Sequence, residues 1–148
     1  MSGLELTSYP QAHVICTSPA GLTFENISRV EINNLAFISC GRPGNLFSIP
    51  NTFLVNSVED FVLSSTLLQE SPTSVLLLFL SNARIDNCSF DNTTGGTFGS
   101  VVVVDSTVNF VNNTFANNVA ISQGGALHAE RGILDFSGPP VTYLLSTN

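Results

Sequence analysis

Val108-Asn109-Phe110-Val111-Asn112-Asn113-Thr114-Phe115 repeats a line written twice before, as Val30-Glu31-Ile32-Asn33-Asn34-Leu35-Ala36-Phe37 and as Ala83-Arg84-Ile85-Asp86-Asn87-Cys88-Ser89-Phe90. The shared template is apolar, any, Ile or Phe, any, Asn, any, any, Phe. The later two copies lie 25 residues apart and the first two 53 apart, so a weaker copy is expected between them. Val58-Glu59-Asp60-Phe61 supplies it, with Phe61 24 residues after Phe37 and 29 before Phe90. Leu134-Asp135-Phe136 opens a fifth copy, 26 residues after Val108-Asn109-Phe110. A strand-cored repeat of this length, broken by polar and Gly-rich intervals, is the mark of a solenoid.

The apolar residues of each copy alternate, which is the period of a strand with one buried face. β-Branched residues reinforce it, Val101-Val102-Val103-Val104 most of all. The intervals Asn92-Thr93-Thr94-Gly95-Gly96, Asn117-Asn118 and Gln123-Gly124-Gly125 are turn chemistry, because Gly and Asn tolerate positive φ at low cost. The apolar run 75–80 reads as a strand buried on both faces, and 57–69 is the best window for a helix.

Two repeat architectures compete. One is an all-β, right-handed single-stranded parallel β-helix of about five coils, at roughly 12–40, 41–70, 71–96, 97–122 and 123–148. Phe37, Phe61, Phe90 and Phe115 would then stack inside, and Asn34, Asn87 and Asn112 would form an inward amide ladder at a turn. The other is a leucine-rich repeat, partly matched by Leu80, Ala83, Ile85, Cys88 and Phe90. Leu35 at its Asn/Cys position, and Thr, Gly and Asn where a convex helix belongs, favour the β-helix.

At 148 residues the chain suits a single domain. Charged residues are 10% of it, against roughly a quarter ordinarily, and lysine is absent. The net charge of -7 is set against only four arginines, Arg29, Arg42, Arg84 and Arg131, scattered singly, which excludes the basic footprint of a nucleic-acid binder. No run reaches the ~18 apolar residues of a membrane span. Residues 1–11 lack the basic start and apolar stretch of a signal peptide, and Pro139-Pro140 interrupts the last coil without an evident cap. The expectation is a β-helix domain from within a longer protein.

Gly124-Gly125-Ala126-Leu127 fits a GGA-[ILV] motif, and Phe110-Val111-Asn112-Asn113 and Phe115-Ala116-Asn117-Asn118 fit F-x-x-N. These lines resemble the β-helical repeats of polymorphic outer-membrane proteins and of pectin-lyase-like surface proteins, eukaryotic ones included. The resemblance covers about residues 22–138. Phe90-Asp91-Asn92-Thr93 departs by placing Asn one position early, and Gly95-Gly96-Thr97-Phe98 lacks the Ala. What the resemblance implies is an extracellular or cell-surface passenger with an adhesive or spacer role, contacting carbohydrate or a surface protein.

Pectin-lyase-like folds also host polysaccharide lyases and glycoside hydrolases, so the alternative reading is an enzyme fragment of that kind. Its candidate residues are Asp86 and Asp91 beside Arg84, with Asp105 from the next coil, because such chemistry needs carboxylates about 5 to 10 Å apart. His13 and His128 have no metal-ligand spacing, and no nucleophile, phosphate or zinc motif occurs, so no cofactor or metal is expected. Cys16 and Cys40 are 24 residues apart, about one coil, and are either a disulfide between adjacent coils or two buried thiols, with Cys88 left alone. Sequons begin at Asn26, Asn87, Asn92 and Asn112. Asn92 and Asn26 are the glycosylation candidates, since Asn87 and Asn112 are assigned to the inward ladder.

Overall fold

A computed structural model describes residues 3–41, 51–94, 98–120 and 124–137. Arg42, Gly95 to Thr97, Gln123 and Pro139-Pro140 lie outside them. The described chain is a parallel β-solenoid of fourteen strands with no helix. β1 (Leu4–Ile15) lies ahead of the first rung, which is β2 (Leu22–Glu25) and β3 (Arg29–Ile38). The next three rungs each have three strands: β4 (Asn51–Asn56), β5 (Asp60–Ser64) and β6 (Leu67–Gln69); β7 (Ser74–Phe79), β8 (Asn82–Asp86) and β9 (Ser89–Asp91); β10 (Val101–Val104), β11 (Thr107–Val111) and β12 (Thr114–Ala116). β13 (Leu127–Glu130) and β14 (Ile133–Ser137) follow.

Every strand pairs in parallel with its counterpart one rung away, which builds three faces: β2-β4-β7-β10-β13, β3-β5-β8-β11-β14, and β3-β6-β9-β12. β3 serves two of them, pairing β5 through its first half and β6 through its second. β1 covers both halves of β3, from Leu4↔Val30 to Ile15↔Ile38. The rung is 25 residues between Ser81 and Ser106 and 31 between Cys40 and Ser71. A leucine-rich repeat would give one strand line and a convex segment per repeat. Here a full rung has three strand lines, and the window 57–69 forms β5 and β6 with a corner at Ser65 rather than a helix. Its apolar residues Phe61 and Leu63 alternate, and that alternation prevails.

The corners explain the asparagines. Each is one residue with φ between 47° and 58°: Asn26, Ser57, Leu80, Asp105 and Arg131 at the first corner; Asn34, Ser65, Asn87 and Asn112 at the second; Ser39, Glu70, Asn92 and Asn117 at the third. Among non-glycine residues, Asn bears this left-handed conformation best. The chain turns sharply there, so the corner side chain points out and the next points in. At the second corner those next residues are Leu35, Thr66, Cys88 and Asn113, and at the third Cys40, Ser71, Thr93 and Asn118, all buried.

The inward amide ladder therefore does not run through Asn34, Asn87 and Asn112. Asn87 and Asn112 are exposed, and Asn112 Nδ2 donates to Asn87 Oδ1 along the outside of the edge. The inward amides are Asn113 and Asn118, one residue later. Asn113 Oδ1 accepts from the Cys88 amide at 2.8 Å while its Nδ2 donates to Ile85 O at 2.7 Å. Asn118 Oδ1 accepts from the Thr93 amide at 3.1 Å and its Nδ2 donates to Phe90 O at 3.0 Å.

The core is a set of columns running up the solenoid. Phe37, Leu68, Phe90 and Phe115 are one column, and Val30, Phe61, Ala83, Val108 and Leu134 another. Phe61 thus does not belong with Phe37, Phe90 and Phe115; Leu68 takes that place. The irregular copy runs from Phe61 through Leu63 and Ser65 to Leu68, with Ser in the Asn position, which hid its register. Phe90 and Phe115 stack at 4.7 Å, and Phe110 and Phe136 at 5.1 Å. Each fully buried Phe or Leu contributes about 1.5–3 kcal/mol. A smaller cluster, Leu54, Leu77 and Val102, lies on the outer side of β4, β7 and β10 with Phe98 packed on it, so β7 is buried on both faces.

Candidate functional site

The four candidate catalytic residues occupy three places. Arg84 and Asp86 both project outward from β8 and form an ion pair at 3.1 Å. Asp91 ends β9, beyond the Asn87 corner, and accepts from Asn117 Nδ2 at 3.1 Å. Asp105 is itself a corner residue, and Arg131, the corner residue one rung on, donates to it from Nε at 2.7 Å and from Nη2 at 2.9 Å. The structure brings Arg84 to Asp86 and leaves Asp91 and Asp105 with other partners.

The electrostatics follow from those partners. Hydrogen bonding from Arg131 holds the Asp105 carboxyl below the usual carboxylate range. A glycosidase general acid needs the opposite displacement, toward a carboxyl still protonated near neutral pH. Among the described residues no group of three His, Cys, Asp or Glu converges as a metal site. His128 stacks on Phe98 at 4.4 Å, which accounts for it by packing. His13 lies on β1 opposite Ala36.

All four sequon asparagines, Asn26, Asn87, Asn92 and Asn112, are exposed corner residues with φ between 52° and 54°. Asn87 and Asn112 are thus as open as Asn92 and Asn26, because the corner turns them outward. The fold also explains why sequons arise here: Asn suits the corner, any inward residue follows, and the next strand opens with Ser or Thr, as Ser89 and Thr114 do. One residue on, Asn113 and Asn118 are structural groups that the repeat template passes over. Their signal is the doublets Asn112-Asn113 and Asn117-Asn118, in which one amide faces out and its neighbour faces in.

The remaining feature is at the β1 end. Cys16 and Cys40 form a disulfide with Cα atoms 5.0 Å apart, tying the strand β1 to the third corner of the first rung. Cys88 is a buried free thiol, and burial pushes its pKa up to about 12, so it is inert near neutral pH. Between β1 and the first rung lies an apolar cavity of about 530 Å³, walled by Leu6, Val14, Leu22, Leu35, Phe37 and Phe53. Within the residues matched to the GGA-[ILV] motif, Gly124 has φ of 60°, and a side chain on Gly99 would overlap its carbonyl oxygen. Gly124 is thus held to glycine by its positive φ and by Leu127 O, which a side chain there would meet, and Gly99 by the close approach of the Gly124 backbone. No protein-family model, no curated protein and no solved structure matches this chain, so what stands is the parallel β-solenoid itself.

Proposed function

We propose that the chain is a non-enzymatic β-solenoid segment of a secreted or cell-surface protein, serving as an adhesive or spacer surface of the pectin-lyase-like kind. The observation that carries the reading is the register of the outward rows. On the β5-β8-β11-β14 face, Asp60, Asn82, Thr107 and Ile133 align in one row, Val62, Arg84, Asn109 and Asp135 in a second, and Ser64, Asp86, Val111 and Ser137 in a third. These rows set the amides and hydroxyls of Asn82, Thr107, Asn109, Ser64 and Ser137 among charged and apolar side chains at the ~4.8 Å strand spacing. Several are fixed by contacts between rungs, as Ser137 Oγ to Asn109 Oδ1 at 3.0 Å and Ser64 Oγ to Asn33 Oδ1 at 3.1 Å. A rigid, periodic face of hydroxyls and amides, on which Arg84 pairs with Asp86 and Asp60 with Arg29, suits a repetitive partner such as a glycan or a protein surface.

The alternative, a fragment of a polysaccharide lyase or glycoside hydrolase, needs Arg84, Asp86, Asp91 and Asp105 on one patch. Their dispersal over three places weighs against it. Probing immobilised neutral glycans and cell-surface proteins with the purified chain tests the proposal. Retention that persists at raised salt, and that is lost in Asn82→Arg/Thr107→Arg at unchanged Tm, is the expected result. Release of ultraviolet-absorbing unsaturated sugars or reducing ends from polysaccharide would replace it with the enzymatic reading.

A further inference from the structure

The left-handed corners give the second edge of the solenoid a pair of outward asparagines in register. Asn87 and Asn112 stand there one rung apart, each with φ of 52°, and Asn112 Nδ2 donates to Asn87 Oδ1 along the outside. Each begins an Asn-x-Ser/Thr line whose three residues the corner sets out, in and out. The middle residues, Cys88 and Asn113, are buried, whereas Asn112 and Thr114 are both exposed and Ser89 is half-buried. Asn113 carries the structural bonds of the line, to the Cys88 amide and to Ile85 O. The Asn112 amide has no such duty, since its contact to Asn87 lies on the surface.

The two groups that an N-glycosylating transferase reads, the asparagine amide and the hydroxyl two residues on, are therefore both outside the wall. A bulky, hydrated oligosaccharide can root only where folding leaves that amide nitrogen in solvent. In the transfer, Asn112 Nδ2 forms a bond to the anomeric carbon of a polyprenyl-diphosphate-linked oligosaccharide. The bond from that carbon to the diphosphate oxygen breaks, the polyprenyl diphosphate leaves, and one amide proton passes to a base of the transferase. The second amide proton remains on Nδ2, and one proton suffices for the contact to Asn87 Oδ1.

We propose that Asn112 is an acceptor for an N-linked oligosaccharide, used ahead of Asn87 because Thr114 is exposed where Ser89 is half-buried. The proposal rests on the reading of a secreted or cell-surface chain, which the Cys16–Cys40 disulfide supports. A glycan rooted at this edge leaves the Asn82 and Thr107 row open. Those residues begin β8 and β11, and Asn112 lies five residues beyond Thr107, roughly 16 Å along the chain.

The full chain, exported behind a cleavable leader from a eukaryotic secretory host, is treated with peptide N-glycosidase in heavy-oxygen water, which labels each asparagine position that carried a glycan. Label at position 112, in a larger fraction of chains than at position 87, is the expected result. Asn112→Gly keeps the corner unstrained and should lose that glycan at unchanged Tm. Variants at the third corner test the facing rather than the motif. Val119→Thr writes a new sequon on outward Asn117 and should add one glycan, whereas Ala120→Thr writes one on inward Asn118 and should add none to the exported protein. Should the Ala120 variant fail to fold, the wild-type chain and Val119→Thr decide the matter. Export with the Cys16–Cys40 link formed but no glycan on Asn112, a preference for Asn87, or a native glycoform on Asn118 would overturn the site alone. A chain retained in the cell with both thiols free would overturn the export reading, and the site with it.

Discussion

Replacing Asn113 by Ala and, separately, its neighbour Asn112 by Gly should give opposite results from adjacent asparagines. Asn113 is 2% exposed and satisfies two buried backbone groups, the Cys88 amide at 2.8 Å and Ile85 O at 2.7 Å. Truncation leaves both without that partner inside the solenoid, at about 1–3 kcal/mol for each. The expected loss is about 3 kcal/mol, or roughly 10 °C in Tm for a chain of this size. Asn112 is an exposed corner with φ of 52°, and glycine adopts that conformation freely, so its replacement should fall within about 0.5 kcal/mol of wild type. Urea unfolding followed by far-ultraviolet circular dichroism reads both. Equal losses, or a larger loss at Asn112, would refute the assignment of outward and inward amides.

Separating Cys16 from Cys40 with Cys16→Ser should cost about 3 kcal/mol, since the link closes a 24-residue span; calorimetry under oxidising conditions reads it, and an unchanged Tm would show the link absent. Mass spectrometry after alkylation should find no reactive thiol in the native oxidised protein and a modified Cys88 only after unfolding. Alkali should act through that same residue. The unfolded thiol, with an ordinary value of 9.0, ionises before the folded one at about 12, so the unfolded state binds fewer protons across that window. Stability is accordingly full below pH 9 and falls as pH rises toward 12 by up to about 1.4 kcal/mol per unit, a slope that Cys88→Ala should flatten. Gly99→Ala should destabilise severely, because its methyl overlaps Gly124 O, and a Tm within 2 °C of wild type, taken as about the Tm equivalent of a neutral change, would contradict the close approach there.

The sequence discloses the solenoid because its period is carried by side chains that must stack. Val108, Phe110 and Phe115 are all inward, and their counterparts Ala83, Ile85 and Phe90 meet them one rung away. It conceals register wherever the corner residue is not Asn. Ser65 replaces Asn in the second rung, and the eye then matches Phe61 to Phe90 by residue type when Leu68 is the geometric equivalent. It also conceals the facing of consecutive polar residues, because left-handed corners break the strict alternation of a strand: Asn112 points out and Asn113 in, contrary to the inward ladder expected at Asn112. Arg84 and Asp86 could be read as neighbours from their spacing of two on one strand. Where Asp91 and Asp105 point depends on which side of a corner each falls, and that is fixed only by the fold.

The column assignment is the centre of the account, and interresidue nuclear Overhauser contacts test it directly. Selectively methyl- and ring-labelled protein should show the Leu68 methyls against the Phe90 ring, Phe90 against Phe115, and the Phe61 ring against the Ala83 methyl. Contacts between Phe61 and Phe90, with Leu68 distant from both, would contradict the solenoid in this register.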